Sequence, residues 1–297
     1  MNRILPILLA LAALVAGLPG VALAREAVFQ PTRFSVTVEG EGPDVILIPG
    51  LMTGRRVWDA SVRSLGGHYR VHLVQIAGFA GEPARGNAQG PVLNGVVEEL
   101  HLYIAANRLQ RPMLVGHSVG GLLGLMLAVR HPNDVERTLI VDALPFYGML
   151  FGADATAATV APRAAAFRDS ILGMSEQGWR AQQPATLATL IRTEAARASI
   201  LANALDSDRS VVARAVYEDM ITDMRPALAD LRTPLTVAYA VNEYATEQRF
   251  GGLMRSGFAG APEVRFVPVE ASYHFIMLDQ PARFDAILAD FLSAGSE

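Results

Sequence analysis

From Ser35 onward the chain alternates two hydrophobic patterns. Short apolar runs at Val45 to Ile48, Val71 to Val74, Met113 to Val115, Leu139 to Val141, Leu235 to Tyr239 and Val264 to Val267 are the best strand candidates. Ser35 to Val38 adds an antiparallel edge strand. Between these runs Trp58, Val62 and Leu65 recur at helical spacing, as do Val96, Leu100 and Ile104, and later Phe284, Ile287, Leu288 and Phe291. Each of these helices has one apolar face to lay against a sheet. Strands alternating with crossover helices predict an α/β fold with a mostly parallel central sheet flanked by helices, whose functional loops leave the carboxyl ends of the strands.

The alternation stops after Val141. From about Leu144 to Arg232 the chain is alanine-rich and shows no good strand, with helical periodicities at Leu187, Leu190, Ile191 and Ala198 and at Val212, Val216 and Met220. The sheet pattern resumes at Pro234, so a helical segment, 144–232, interrupts one α/β core made of 25–143 and 233–297. At the amino terminus Arg3 precedes an uncharged stretch, Ile4 to Ala24, broken by Pro19-Gly20 and closed by the small residues of Ala22-Leu23-Ala24. This predicts a signal peptide over 1–24, cleaved after Ala24, and a periplasmic or secreted protein with no stable membrane insertion. A retained anchor is the alternative, because the uncharged span approaches the roughly 20 residues a bilayer requires.

Composition narrows the chemistry. All 25 basic residues are arginine, and no cysteine occurs. Schiff-base lysine, thiol nucleophile, disulfide, thiolate zinc site and lipoprotein anchor are therefore excluded. A net charge of −4 argues against a basic nucleic-acid-binding surface. The glycine-rich stretch lacks the Lys-Ser or Lys-Thr of a phosphate loop, no histidine pair has metal-ligand spacing, and neither a cofactor nor a metal is implied.

The motif that carries chemistry is Gly116-His117-Ser118-Val119-Gly120-Gly121. The Met113 to Val115 strand feeds it, and a helix from Leu122 to Arg130 leaves it. Strand, sharp turn and helix with Ser118 at the apex describe a nucleophile elbow, in which the flanking glycines admit a turn that larger side chains would block. The backbone N–H of Val119, at the helix start, is free to face developing negative charge. A serine hydroxyl needs a base. His274 follows the last predicted strand on a loop returning to the catalytic edge, whereas His117 is assigned to packing or hydrogen bonding and His68, His72, His101 and His131 to structural roles.

These residues resemble the α/β-hydrolase family over nearly the whole of the chain after residue 24. Ile48-Pro49-Gly50-Leu51 followed by Trp58 looks like the family's oxyanion loop, Gly78-Phe79 like the turn after the next strand, and Gly116 to Gly121 like its elbow. Tyr273-His274-Phe275 with Asp279-Gln280-Pro281 looks like the histidine loop and the start of the last helix, with Asp279 expected to cap that helix. The resemblance implies the α/β-hydrolase fold with a helical cap at 144–232 and His274 as the base. It implies Leu51 N–H, or Met52 N–H, as the second oxyanion donor beside Val119. For the third triad member it implies Glu243, at the loop where the family usually has aspartate. Asp142, just beyond the Leu139 to Val141 strand, is the alternative, since some members draw the acid from there.

The reading is an exported serine hydrolase acting on a small-molecule carboxylic ester through an acyl-enzyme on Ser118. Related triad chemistry on a carbon–carbon, thioester or amide bond, or perhydrolysis, is an alternative within enzymes. A non-catalytic ligand-binding protein on the same fold is an alternative outside them. Met149, Leu150, Phe151, Phe167, Ile171 and Trp179 are candidates to line an acyl pocket or to pack the cap on the core. Arg55 and Arg56 either meet an anionic substrate or stay solvated.

Overall fold

The structure is a computed structural model in which residues 29–294 are described; the expected signal peptide, 1–24, lies outside the described residues. Seven strands form one sheet: β1 Phe34–Glu39, β2 Asp44–Ile48, β3 Arg70–Ile76, β4 Met113–His117, β5 Thr138–Val141, β6 Leu235–Val241 and β7 Val264–Glu270. Their spatial order is β1-β3-β2-β4-β5-β6-β7, antiparallel only between β1 and β3. Each of the six runs expected as strands lies in a strand, and the Ser35 to Val38 segment is the antiparallel edge.

The helices are α1 Asp59–Ser64, α2 Leu93–Ala106, α3 Val119–Arg130, α4 Ala157–Gly173, α5 Glu176–Leu190, α6 Glu194–Leu205, α7 Arg209–Ile221, α8 Gly252–Gly257, α9 Ile276–Asp279 and α10 Pro281–Ser293. Because side chains alternate along a strand, an unbroken apolar run supplies two cores at once. Ile46 and Ile48 of β2 pack on one face with Val96 and Leu100 of α2 and Leu123 of α3. Val45 and Leu47 pack on the other with Trp58, Phe284 and Ile287. Each such fully buried side chain is worth about 1.5–3 kcal/mol relative to exposure. The Trp58 periodicity is divided between a 3₁₀ turn, Arg55–Trp58, and the short α1. The Leu187 to Ala198 periodicity likewise spans two helices, with a break after α5 at Ile191.

Four helices, α4 to α7, lie between β5 and β6. Side-chain caps start three of them: Thr156 with a capping box on α4, Ser175 on α5, and Asp208, which accepts from the N–H groups of Ser210 and Val211, on α7. Glu218 of α7 accepts the N–H groups of Val92 and Leu93, each at 2.8 Å, at the start of α2. A carboxylate there satisfies orphan donors and complements the helix dipole, so α7 is tied to the core at a defined register.

Candidate active site

At the carboxyl end of the central strand β4, Ser118 takes φ 54° and ψ −125°, outside the regions that L-residues favour. The chain is forced through this bend by close contacts on both sides. A Cβ on residue 116 would lie 2.1 Å from the Gly120 carbonyl oxygen, and one on residue 120 would lie 2.3 Å from that of Ile48, so only glycine fits at either position. The Ser118 N–H donates to Val141 O at 3.0 Å, which fixes the bend against β5.

His274 lies on the loop between β7 and α9. That loop is held from several sides: Asn242 Nδ2 donates to Ser272 O at 2.8 Å, Phe275 N to Leu190 O at 3.3 Å, and Tyr273 N to Asp279 Oδ2 at 2.8 Å. His117 is fully buried, and its Nε2 donates to the His274 carbonyl at 3.0 Å. An acceptor that is a carbonyl fixes the His117 tautomer with the proton on Nε2. Burial, reinforced by the nearby His274, holds His117 well below the ordinary histidine range, so it is neutral. It is thus a strut beneath the histidine loop, a role of the kind expected for it.

The carboxylate that meets His274 is Asp142. His274 Nδ1 lies 2.7 Å from Asp142 Oδ2, and the side chains are 24% and 8% exposed respectively. The other oxygen, Oδ1, accepts the Ala240 N–H at 2.9 Å. Asp142 has φ 51°, a left-handed conformation that aspartate tolerates, and its N–H donates to Ala238 O at 2.7 Å. Of the two expected acids the structure brings only Asp142 to His274. Glu243, the favoured one, points elsewhere: its side chain is 51% exposed, accepts from Tyr273 Oη at 2.7 Å and pairs with Arg192 at 3.4 Å. Its own backbone N–H, then Tyr273 and Arg192, hold its carboxyl below the usual range. The physical reason is the loop: Asn242 Oδ1 accepts the N–H groups of both Tyr244 and Ala245 at 2.9 Å, closing a tight turn that throws Glu243 outward.

Ser118, Val119, His274, Leu51 and Met52 line one cavity of about 320 Å³ under α4, α5 and α7. Met52 occupies a turn with φ 54°, closed by the Thr53 N–H on Gly50 O at 3.2 Å. Among the described residues neither the Leu51 nor the Met52 N–H has a protein acceptor, and Val119 stands in the first helical turn, where none is available within the helix. The structure therefore keeps both Leu51 and Met52 as candidate donors beside Val119. Phe167, Ile171 and Trp179 line the cavity, whereas Met149 is buried in the core and Leu150 and Phe151 face outward. Arg55 bonds Ser35 and Thr37, Arg56 bonds Asp59 at 3.2 Å, and neither reaches the cavity.

A model of the alpha/beta hydrolase family matches residues 45–287. The chain belongs to that family. It is similar to the pimeloyl-[acyl-carrier protein] methyl ester esterase of Aeromonas hydrophila, 36% identical over 115 residues, which are 38% of this chain and 43% of that relative. The chain thus spans less than half the length of this curated relative. Over most of its length it shares the fold of an enol-lactonase from Burkholderia xenovorans LB400, with TM-score 0.70 and 21% identity over 88% of this chain and 96% of that one. An esterase from Exiguobacterium antarcticum gives TM-score 0.72 and 17% identity over 88% and 96% of the two chains.

Two further placements differ from the expectations. Asp279 does not cap the last helix: its carboxylate accepts the N–H groups of Arg192, Thr193 and Tyr273 at 3.1, 2.8 and 2.8 Å, joining the break after α5 to the histidine loop. Spacing gave no metal-ligand pair, yet α2 and α3 bring His101, His131 and Asp134 together with ligand atoms within 4.8 Å. The two rings stack at 4.0 Å and 11°, so their in-plane lone pairs run side by side, and His101 Nδ1 is already bonded to Asp134 at 2.7 Å. That arrangement suits a hydrogen-bonded stack better than tetrahedral coordination. His72, between Tyr103 Oη at 2.7 Å and Asp44 Oδ1 at 2.9 Å, belongs to a structural network at the opposite end of the sheet.

Sequence reasoning missed Asp219 of α7. Its carboxyl lines the cavity with Ser118 and His274. Burial pushes it up to about 7, with the attraction of His274 opposing. No signal in a helical, alanine-rich stretch marks it; only the packing of α7 against α4 and α2 turns that position inward.

Proposed function

We propose that the chain is a serine hydrolase that cleaves carboxylic esters by acyl transfer, with Ser118 as nucleophile, His274 as general base and acid, and Asp142 as the orienting carboxylate. The observation that carries this reading is the 2.7 Å bond from His274 Nδ1 to Asp142, in a cavity that also exposes Ser118. With the Nδ1 proton engaged by Asp142, the lone pair of neutral His274 resides on Nε2, where a base for a serine hydroxyl must have it. Ser118 Oγ attacks the ester carbonyl while its proton passes to Nε2. The tetrahedral oxyanion takes hydrogen bonds from Val119 N–H and from Leu51 or Met52 N–H, each typically worth about 3 kcal/mol. Collapse expels the alcohol, which receives the proton from Nε2. Water, deprotonated at the same nitrogen, then releases the acid and restores Ser118.

Helices α4 to α7 serve as a cap that confines the acyl or alcohol portion. The similarity to the pimeloyl methyl ester esterase favours an ester over an amide or carbon–carbon bond. The N-terminal pattern supports export with cleavage after Ala24, so the mature protein begins at Arg25; amino-terminal sequencing tests this.

The deciding experiment is fluorophosphonate labelling of the folded protein together with hydrolysis of p-nitrophenyl esters. Stoichiometric labelling and turnover, both abolished in Ser118→Ala, are expected. Absence of labelling and turnover in folded protein overturns the reading in favour of a binding protein.

A further inference from the structure

We propose that Asp219 is the docking point for a positively charged group, and that the cavity takes esters carrying a cationic nitrogen, such as a quaternary ammonium, beside the ester carbonyl. The inference rests on the hydrolase reading and adds a substrate class to it.

Asp219 is an unmatched carboxyl. Asp219 makes no hydrogen bond or ion pair with any described residue, although it faces the cavity of Ser118 and His274. Its neighbours Val212, Val216 and Met220 on the same helix are buried and apolar. The chain has 25 arginines, yet among the described residues none lines this cavity, and no second carboxylate does. The titratable groups it acts on are His274 and the Tyr147 hydroxyl, which burial and then Asp219 push up, and the other polar side chains of the cavity, Ser118, Ser170, Gln182, Gln183 and Thr186, are neutral. A carboxyl so placed is left with a partner to find.

A second observation specifies that partner. Tyr147, Phe167, Trp179 and Phe275 line the same cavity. Aromatic faces attract a cation within about 6 Å and favour weakly hydrated ammonium groups over neutral isosteres. A carboxyl and aromatic rings around one space together select positive charge, whereas apolar lining alone would accept a neutral chain. The Glu218 bonds to the start of α2 hold the adjacent Asp219 at fixed depth, so the charge is part of a rigid wall.

The test uses two isosteric pairs. One is the p-nitrophenyl ester of trimethylammonio-butyrate against its all-carbon analogue, and the other is choline butyrate against the ester in which carbon replaces the nitrogen. In at least one pair kcat/KM for the cation is expected to exceed that for its isostere by about tenfold or more, as for a site built around a polar partner. Asp219→Asn, which keeps size and shape, is expected to reduce that ratio about tenfold, mainly through KM. Fluorophosphonate labelling of Ser118 in the variant reports that the site is intact. Hydrolysis of the neutral esters with no preference for the cation in either pair, or a preference that survives Asp219→Asn, overturns the inference and leaves the hydrolase reading standing. Failure to hydrolyse any of the four esters, with no fluorophosphonate labelling, overturns both.

Discussion

Replacing Asp142 by asparagine separates the two carboxylates that chain order allows as the third triad member. The oxygen at Oδ1 accepts the Ala240 N–H at 2.9 Å, so the amide oxygen of the variant must occupy that place. The amide NH₂ then faces His274 Nδ1, where the carboxylate oxygen now sits at 2.7 Å. A donor in that position makes Nδ1 the acceptor and moves the imidazole proton to Nε2, the tautomer that cannot take the proton of Ser118. The variant also removes the negative charge that stabilises the imidazolium. At about 4 Å between charge centres and an effective dielectric constant near 20, that interaction is about 4 kcal/mol. Both effects point to a fall in kcat of about a thousand- to ten-thousandfold. Asparagine tolerates the left-handed φ of residue 142, so the fold should be retained and the melting temperature should move by only a few degrees. Glu243→Gln keeps the Tyr273 contact and loses an exposed pair with Arg192, and its activity should stay within about threefold of wild type. The assay is kcat on a short-chain p-nitrophenyl ester, with circular dichroism melts of both variants. Activity of Asp142→Asn within tenfold of wild type, with a hundredfold loss in Glu243→Gln, would refute the assignment.

Gly120→Ala should be destabilised by about 3 kcal/mol or more, read as a lowered urea midpoint, because the added methyl meets the Ile48 carbonyl rather than a side chain that can move. Asp279→Ala frees three backbone N–H groups at the histidine loop; we expect a loss of about 2 kcal/mol in urea unfolding together with a reduced kcat, while a variant with unchanged kcat would show that the loop does not need this tie. The Asp219 carboxyl is raised from 3.8 to about 7, so it contributes stability below pH 4 that is lost as pH rises through 7. The stability advantage of Asp219→Asn should therefore grow between pH 4 and pH 7 and level off above, reaching on the order of 2–4 kcal/mol; equal urea midpoints at pH 5 and pH 8 for the two proteins would contradict the burial argument.

What the sequence made legible follows from which interactions are local. Strands buried on both faces need largely apolar runs, so β2 to β6 are visible as such, while β7, at the sheet edge, is half-buried and its run carries Arg265; the elbow is visible because Gly116, Ser118 and Gly120 are required within one turn. His274 is identifiable because one loop after the last strand returns to the edge where Ser118 stands. The acid is harder to assign: Asp142 and Glu243 both follow ends of neighbouring strands, and their reach is decided by a left-handed φ at 142 and by the Asn242 turn at 243. A short aspartate placed directly after a strand, where the chain must turn at once, was the available signal. Asp219 and the His101–His131 stack depend on how helices pack, and residues far apart in sequence carry no local mark of that.

Three costly features meet at the edge of the sheet that carries the elbow. Ser118 sits in a disfavoured backbone region, which typically costs about 1–3 kcal/mol, His117 Nδ1 is buried without a protein partner, and Asp219 faces a cavity without a countercharge. At the opposite end of the sheet the Asp44 network is matched: burial pushes Asp44 up, but its bonds to Arg70 and His72 hold it below the usual range, and Tyr103 completes the chain, while Thr138 Oγ1 and Thr233 Oγ1 are buried there without a partner among the described residues. Strain at the elbow is what a folded scaffold tolerates where the residues serve something other than folding. For Ser118 that purpose is nucleophilic attack. For Asp219 the corollary is measurable: if Asp219→Asn raises the unfolding midpoint near pH 8 while the preference for cationic esters collapses, the carboxyl cannot owe its place to stability, and what it binds explains it.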